Sequence, residues 1–181
     1  MKRLIVALVL ALAGIGLQAQ FTNASLQASG LTCSMCSKAV KVALEKVPFV
    51  QEVKVNIKSQ EYAIMFKEKS DADFDALKKA VEDAGFSVAS LKVTGNFNDV
   101  NVEKDKHLRI DGKNFHFVGA GGKVLNGAQT FTIVDKDFVS ARDYKKYSTA
   151  TKMDCIRTGK AENCCVKEGI HTEERVYHVI I

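Results

Sequence analysis

The stretch Ser34–Phe66, SMCSKAVKVALEKVPFVQEVKVNIKSQEYAIMF, changes its hydrophobic period once, and that change decides the fold. Across Ser34–Val47, the residues Val40, Ala43, Leu44 and Val47 recur at the spacing of one helical face, with Lys38, Lys41 and Glu45 opposite. Pro48 has no amide N–H and disfavours helical geometry in the residue before it, so the helix stops there. Val53, Val55 and Ile57 then alternate with Lys54, Asn56 and Lys58, which is the period of a half-buried strand. A polar pair, Ser59-Gln60, separates this run from Tyr62, Ile64 and Phe66, and the two runs predict a hairpin.

On the N-terminal side, Ser25–Leu31 is a short alternating run with Leu26 and Ala28 on one face. On the C-terminal side, Ser70 precedes a second helix whose Asp71, Asp73 and Asp75 suit its positive end. Phe74, Leu77, Val81 and Ala84 supply the buried face of that helix, Gly85 ends it, and Phe86–Val93 closes the unit as a strand. The order βαββαβ predicts an α+β, ferredoxin-like domain over residues 24–93, with two helices on one face of a four-stranded antiparallel sheet.

Beyond Thr94 the pattern changes to short alternations at Leu108/Ile110, Phe115/Phe117, Phe131/Ile133 and Val176–Ile181. This half, residues 98–181, is expected to be a small β-rich domain of barrel or sandwich type with one short helix at Ser140–Tyr147. The period change and Gly95 place the boundary at Thr94–Asn98.

A length of 181 residues suits one or two small domains, and 46% hydrophobic with 26% charged residues is an ordinary globular composition. The net charge is +5, and Lys2 and Arg3 supply two of those positives. The remaining balance is too weak to indicate nucleic acid as a partner. Lys2 and Arg3 precede the uncharged run Leu4–Leu17, LIVALVLALAGIGL, and a cleavage-type tripeptide, Leu17-Gln18-Ala19. As a helix this run rises only about 21 Å, short of a hydrocarbon core of roughly 30 Å. Residues 1–19 are therefore expected to be a secretory signal peptide, which makes the mature chain periplasmic or secreted, with no stable membrane insertion after cleavage.

Export changes how the five cysteines are read, and five is an odd count. Thr32-Cys33-Ser34-Met35-Cys36 lies between the first strand and the first helix. The unsatisfied N–H groups of a helix start favour thiolate over thiol, and a two-residue spacer lets both sulfurs converge on one soft ion. Two thiolates suit a low-coordinate cation such as Cu(I), whereas Zn(II) wants four ligands. The competing reading of a lone C-x-x-C is thiol–disulfide exchange, with Cys33 attacking and Cys36 resolving. Against it, no carboxylate or His flanks the loop to manage protons.

Gly30-Leu31-Thr32-Cys33-Ser34-Met35-Cys36 resembles the GMTCxxC loop of heavy-metal-associated domains, the module of copper chaperones and of the cytosolic tails of copper-transporting ATPases. Asp83-Ala84-Gly85-Phe86 is similar to the end of that family's second helix. The resemblance implies a non-enzymatic carrier in which Cys33 and Cys36 hold Cu(I) and pass it to a protein partner through shared thiolates. Leu31 stands where the family usually has Met, and Phe86 where many cytosolic members have Tyr or Lys. Exported mercury-binding proteins use the same module behind a signal peptide, and Hg(II) accepts two thiolates equally well. The appended second half is not expected of those proteins, which puts copper first.

Cys155, Cys164 and Cys165 form a second group. Their simplest reading is a disulfide from Cys155 to Cys164 or Cys165; the alternatives are a second soft-metal site with His171 or His178, or unpaired core thiols. His178 alternates with Val176 and Ile180 and is expected on or beside the core. His107 and His116 are expected at surface strand positions, and Arg142–Lys146 on a solvated helix face.

Overall fold

Alternation at Val53–Phe66 becomes a hairpin of β2 (Val50–Asn56) and β3 (Glu61–Phe66), with Val53 opposite Ile64 and Val55 opposite Tyr62. The structure, a computed structural model, describes residues 20–103 and 105–181, so the expected signal peptide at 1–19 lies outside the described residues. β1 (Gln20–Ser29) pairs antiparallel with β3, placing Leu26 against Tyr62, and with β4 (Ser87–Val102), placing Leu26 against Leu91. The strand order β2-β3-β1-β4 gives the ferredoxin-like half.

Helix α1 (Ser34–Glu45) buries Ser37, Val40 and Leu44, and helix α2 (Phe74–Asp83) buries Phe74, Leu77 and Val81. The start of α2 is set by one carboxylate. Asp73, not Ser70, caps it by accepting from the Asp75 N–H at 3.0 Å, while the Ser70 hydroxyl donates to the Lys67 carbonyl at 2.7 Å. A carboxylate one residue before the first turn is better placed than a hydroxyl four residues earlier.

The expected boundary at Thr94–Asn98 is corrected by the structure. β4 runs through it, pairing with β1 along one edge and with β7 (Lys123–Ile133) along the other, so Thr94 lies opposite both Asn23 and Thr130. Gly95 marks close packing. A Cβ there would stand 3.1 Å from the Gln20 carbonyl and 3.2 Å from the rings of Phe21 and Phe97. The C-terminal half consequently extends the same sheet, in the order β4-β7-β8-β6-β5, instead of forming a separate barrel or sandwich. Its remaining strands are β5 (His107–Ile110), β6 (Lys113–Phe117) and β8 (Val176–Ile180), with β6 and β8 parallel.

One buried cluster spans both halves. The Phe21 ring lies 5.1 Å from that of Phe74 on α2, 6.2 Å from Phe97 on β4 and 5.4 Å from Phe115 on β6. Arg175 adds a polar clamp, its Nε donating to Asp75 of α2 at 2.7 Å while a second nitrogen pairs with buried Asp135 at 2.9 Å. The expected short helix appears as α3 (Ala141–Ser148), capped by Ser140, with Lys145 and Lys146 exposed. Two single-turn helices that the sequence pattern did not reveal, α4 (Cys155–Thr158) and α5 (Asn163–Val166), follow it.

Candidate metal centre

The loop between β1 and α1 is shaped before any side-chain chemistry enters. Gly30 takes φ +85°, a left-handed conformation that turns the chain out of β1. Leu31 is buried beneath the turn, and its carbonyl accepts from the Gln60 side-chain amide at 3.2 Å, tying the loop to the β2–β3 hairpin. Tyr62, fully buried under α1, donates its hydroxyl to the Ser37 carbonyl at 3.3 Å. Phe86 approaches Gly30 from the end of α2, so the loop rests on apolar groups.

Cys33 and Cys36 are brought together on this platform. Cys33 is the N-cap of α1 in an extended conformation, and its sulfur accepts from the Cys36 N–H at 3.4 Å. Cys36 lies in the first helical turn, with its sulfur 3.0 Å from that of Cys33 and 3.9 Å from the Thr32 hydroxyl. This separation is hydrogen-bonding distance, well beyond a disulfide bond of about 2.05 Å. Cys33 is exposed and Cys36 half-buried, so the pair faces solvent.

The hydrogen bond from Cys33, followed by bonds from Thr32, holds the Cys36 thiol below its ordinary value, against a smaller opposing effect of burial. No acidic residue occupies the first turn of α1 to offset the partial positive charge there. The arrangement therefore favours a thiolate at Cys36, with the Cys33 sulfur beside it. Met35 is 70% exposed and points away from packing, and Lys38 is exposed one turn along.

The second cysteine group departs from its simplest reading. Cys155, Cys164 and Cys165 are all unpaired, as are Cys33 and Cys36, so the expected disulfide is corrected. Cys155 Sγ is directed to His178 Nε2 at 3.2 Å, and Cys164 Sγ stays 3.5 Å from Cys165 Sγ. His178 is buried as expected, but so is His116, and the His107 side chain is 1% exposed. Both were expected at the surface. Strand alternation gives the face of a residue but not what covers that face, and here α4 and α5 cover it. His171 is exposed and outside this group.

Residues 25–87 match the Heavy-metal-associated domain. A probable copper-exporting P-type ATPase of Archaeoglobus fulgidus is 30% identical over 115 residues, covering 64% of this chain and 14% of that protein. A mercuric transport protein periplasmic component of Pseudomonas fluorescens is 36% identical over 86 residues, covering 48% of this chain and 93% of that protein. The chain thus spans nearly all of the mercuric relative and a small fraction of the ATPase. Among solved structures, oxidized MerP from Ralstonia metallidurans CH34 aligns at 33% identity with a TM-score of 0.33, covering 39% of this chain and 96% of that one.

Proposed function

The chain belongs to the heavy-metal-associated domain family, and from that premise we propose that it is an exported, non-catalytic carrier of a soft metal ion, with Cu(I) as its cargo. Cys33 and Cys36 are the ligands in this reading. The observation that carries it is a solvent-facing sulfur pair 3.0 Å apart at a helix start, with the Cys36 thiol lowered by the hydrogen bond from Cys33. Taking a thiolate–metal bond of about 2.3 Å as the scale, a linear two-coordinate ion needs its sulfurs about 4.6 Å apart. Capture therefore requires the pair to open, and Cys33, at the cap and outside the helix, is the residue free to move. Release follows by the reverse route, when a partner's thiolate takes one coordination position before Cys33 or Cys36 lets go.

The test is titration of the reduced chain with Cu(I) against a competing chelator. The reading expects one ion per chain at this site, lost in Cys33→Ser/Cys36→Ser. Equal stoichiometry and affinity in wild type and double variant would end it.

Hg(II) is the second reading, favoured by the near-complete coverage of a periplasmic mercuric relative. Copper is placed first because about half of this chain lies outside that match. Competition of the two ions for the reduced chain, followed by mass measurement, separates them. Export is tested by sequencing the N-terminus of the protein recovered from culture, with a start near Gln20 expected.

A further inference from the structure

Three histidines stand in one cross-strand row. His107 on β5 is the register partner of His116 on β6, and His116 is the register partner of His178 on β8. Direct partners on neighbouring strands project to the same face, and successive ring centroids lie 5.2 Å apart. Over this row sit Cys155 of α4 and Cys165 of α5, both fully buried.

Donor atoms gather into two three-residue sets that share Cys155. Those of His107, Cys155 and Cys165 lie within 4.8 Å of one another, as do those of His116, Cys155 and His178. Cys155 Sγ is 3.6 Å from His107 Nε2 and 3.2 Å from His178 Nε2, and Cys165 Sγ is 3.4 Å from His107 Nε2. Thiolate and imidazole ligands at about 2.3 and 2.0 Å from one ion stand about 3.5–3.7 Å apart in tetrahedral or trigonal geometry.

The outer nitrogens carry a second, independent indication. His178 Nδ1 meets Asp135 Oδ1 at 2.6 Å, and His107 Nδ1 meets Glu168 Oε2 at 2.8 Å. A carboxylate on Nδ1 fixes each ring with Nε2 toward the sulfurs, the orientation common behind metal-bound histidines. His116 is fully buried, yet among the described residues neither ring nitrogen has a hydrogen-bond partner, and Asp105 Oδ1, at 3.8 Å, is beyond hydrogen-bond reach. A buried imidazole left unpaired costs free energy that a ligand would recover.

We propose that this cluster is a second metal site, centred on the Cys155 sulfur and taking a thiophilic d10 cation, Zn(II) or Cu(I), with imidazole and thiolate ligands from the His row and Cys165. Binding is ligand exchange without redox change. Each ligating thiol gives up its proton to solvent as its sulfur bonds the ion. Zn(II) held by the Cys155 and Cys165 thiolates, or Cu(I) held by the Cys155 thiolate with neutral histidines, leaves a centre with no net charge, which a buried position favours.

The test uses the full chain carrying Cys33→Ser/Cys36→Ser, reduced, so that the site in the β1–α1 loop is silent and each proposal can fail alone. Zn(II) alone and Cu(I) alone are added in separate arms, excess ion is removed, and bound metal is counted by elemental analysis and native mass spectrometry. About one ion per chain is expected to remain in one arm, with a raised melting temperature, and that arm identifies the ion. Cys155→Ala should abolish retention. Should that variant not fold, Glu168→Gln, on the solvent side of His107, is expected to weaken binding about tenfold. Loss in His107→Gln or in His178→Gln shows which ligand set holds the ion. Retention of neither ion by the double variant overturns the proposal, as does binding undiminished by both Cys155→Ala and Glu168→Gln.

Discussion

Phe21→Ala tests whether the two halves of the sheet are one folding unit. Phe21 is 1% exposed and touches rings from α2, β4 and β6, so its removal opens a cavity where the halves meet. Truncating a buried phenylalanine costs about 3–5 kcal/mol, of which each aromatic pair contributes about 0.5–1.5 kcal/mol. For a chain of this size each kcal/mol lowers the melting temperature by about 2–4 °C, so a fall of roughly 6–20 °C is expected. Hydrogen exchange read by mass spectrometry resolves where that loss falls. Peptides from β3 and β8 lie on opposite sides of the β4–β7 seam, and both should lose protection together because the core beneath them is continuous. Loss confined to β8 peptides, or a cost below about 1 kcal/mol, would refute a continuous core and restore two separate units.

Arg175→Met is expected to cost up to about 3 kcal/mol in urea unfolding, because it strands buried Asp135 with His178 alone, and solvent reaching the 30% exposed Arg175 already weakens the pair. Adding Asp135→Asn to it should recover part of that loss, and no recovery would contradict the charge argument. Gly30→Ala should cost about 1–2 kcal/mol from its positive φ alone, since the new Cβ meets Phe86 at an ordinary 3.8 Å. A change in thermal stability outside that range would point to a clash or to a relaxed loop. Iodoacetamide labelling followed by peptide mapping tests the thiols. Cys36, held low by Cys33, keeps its thiolate to a lower pH than an ordinary thiol does, whereas Cys155, pushed up by burial, stays a thiol. The pair at the β1–α1 loop should therefore label first in the native chain, and equal rates at Cys155 would contradict the assigned environments.

Much of the N-terminal half was legible from local pattern. Val40 and Leu44 on one helical face, and Val53, Ile64 and Phe66 at alternate strand positions, reach the core because period alone selects the side a residue faces. The Cys33–Cys36 spacing on a helix start was equally local, since three residues of helix bring the two sulfurs together without help from the rest of the chain. Gly95 marks the limit of local pattern. A glycine in sequence marks either a break or a close approach, and only the neighbouring Phe21 and Phe97 rings distinguish the two. His107, His116 and His178 lie 9 and 62 residues apart in turn, and their row exists only through the register of β5, β6 and β8. The sequence by itself determined the order of elements, the faces they bury and the sulfur pair. Tertiary structure alone decided that β4 serves both halves and that Cys155 and Cys165 cover the histidines, because strand register and helix docking are set by contacts between residues far apart in the chain.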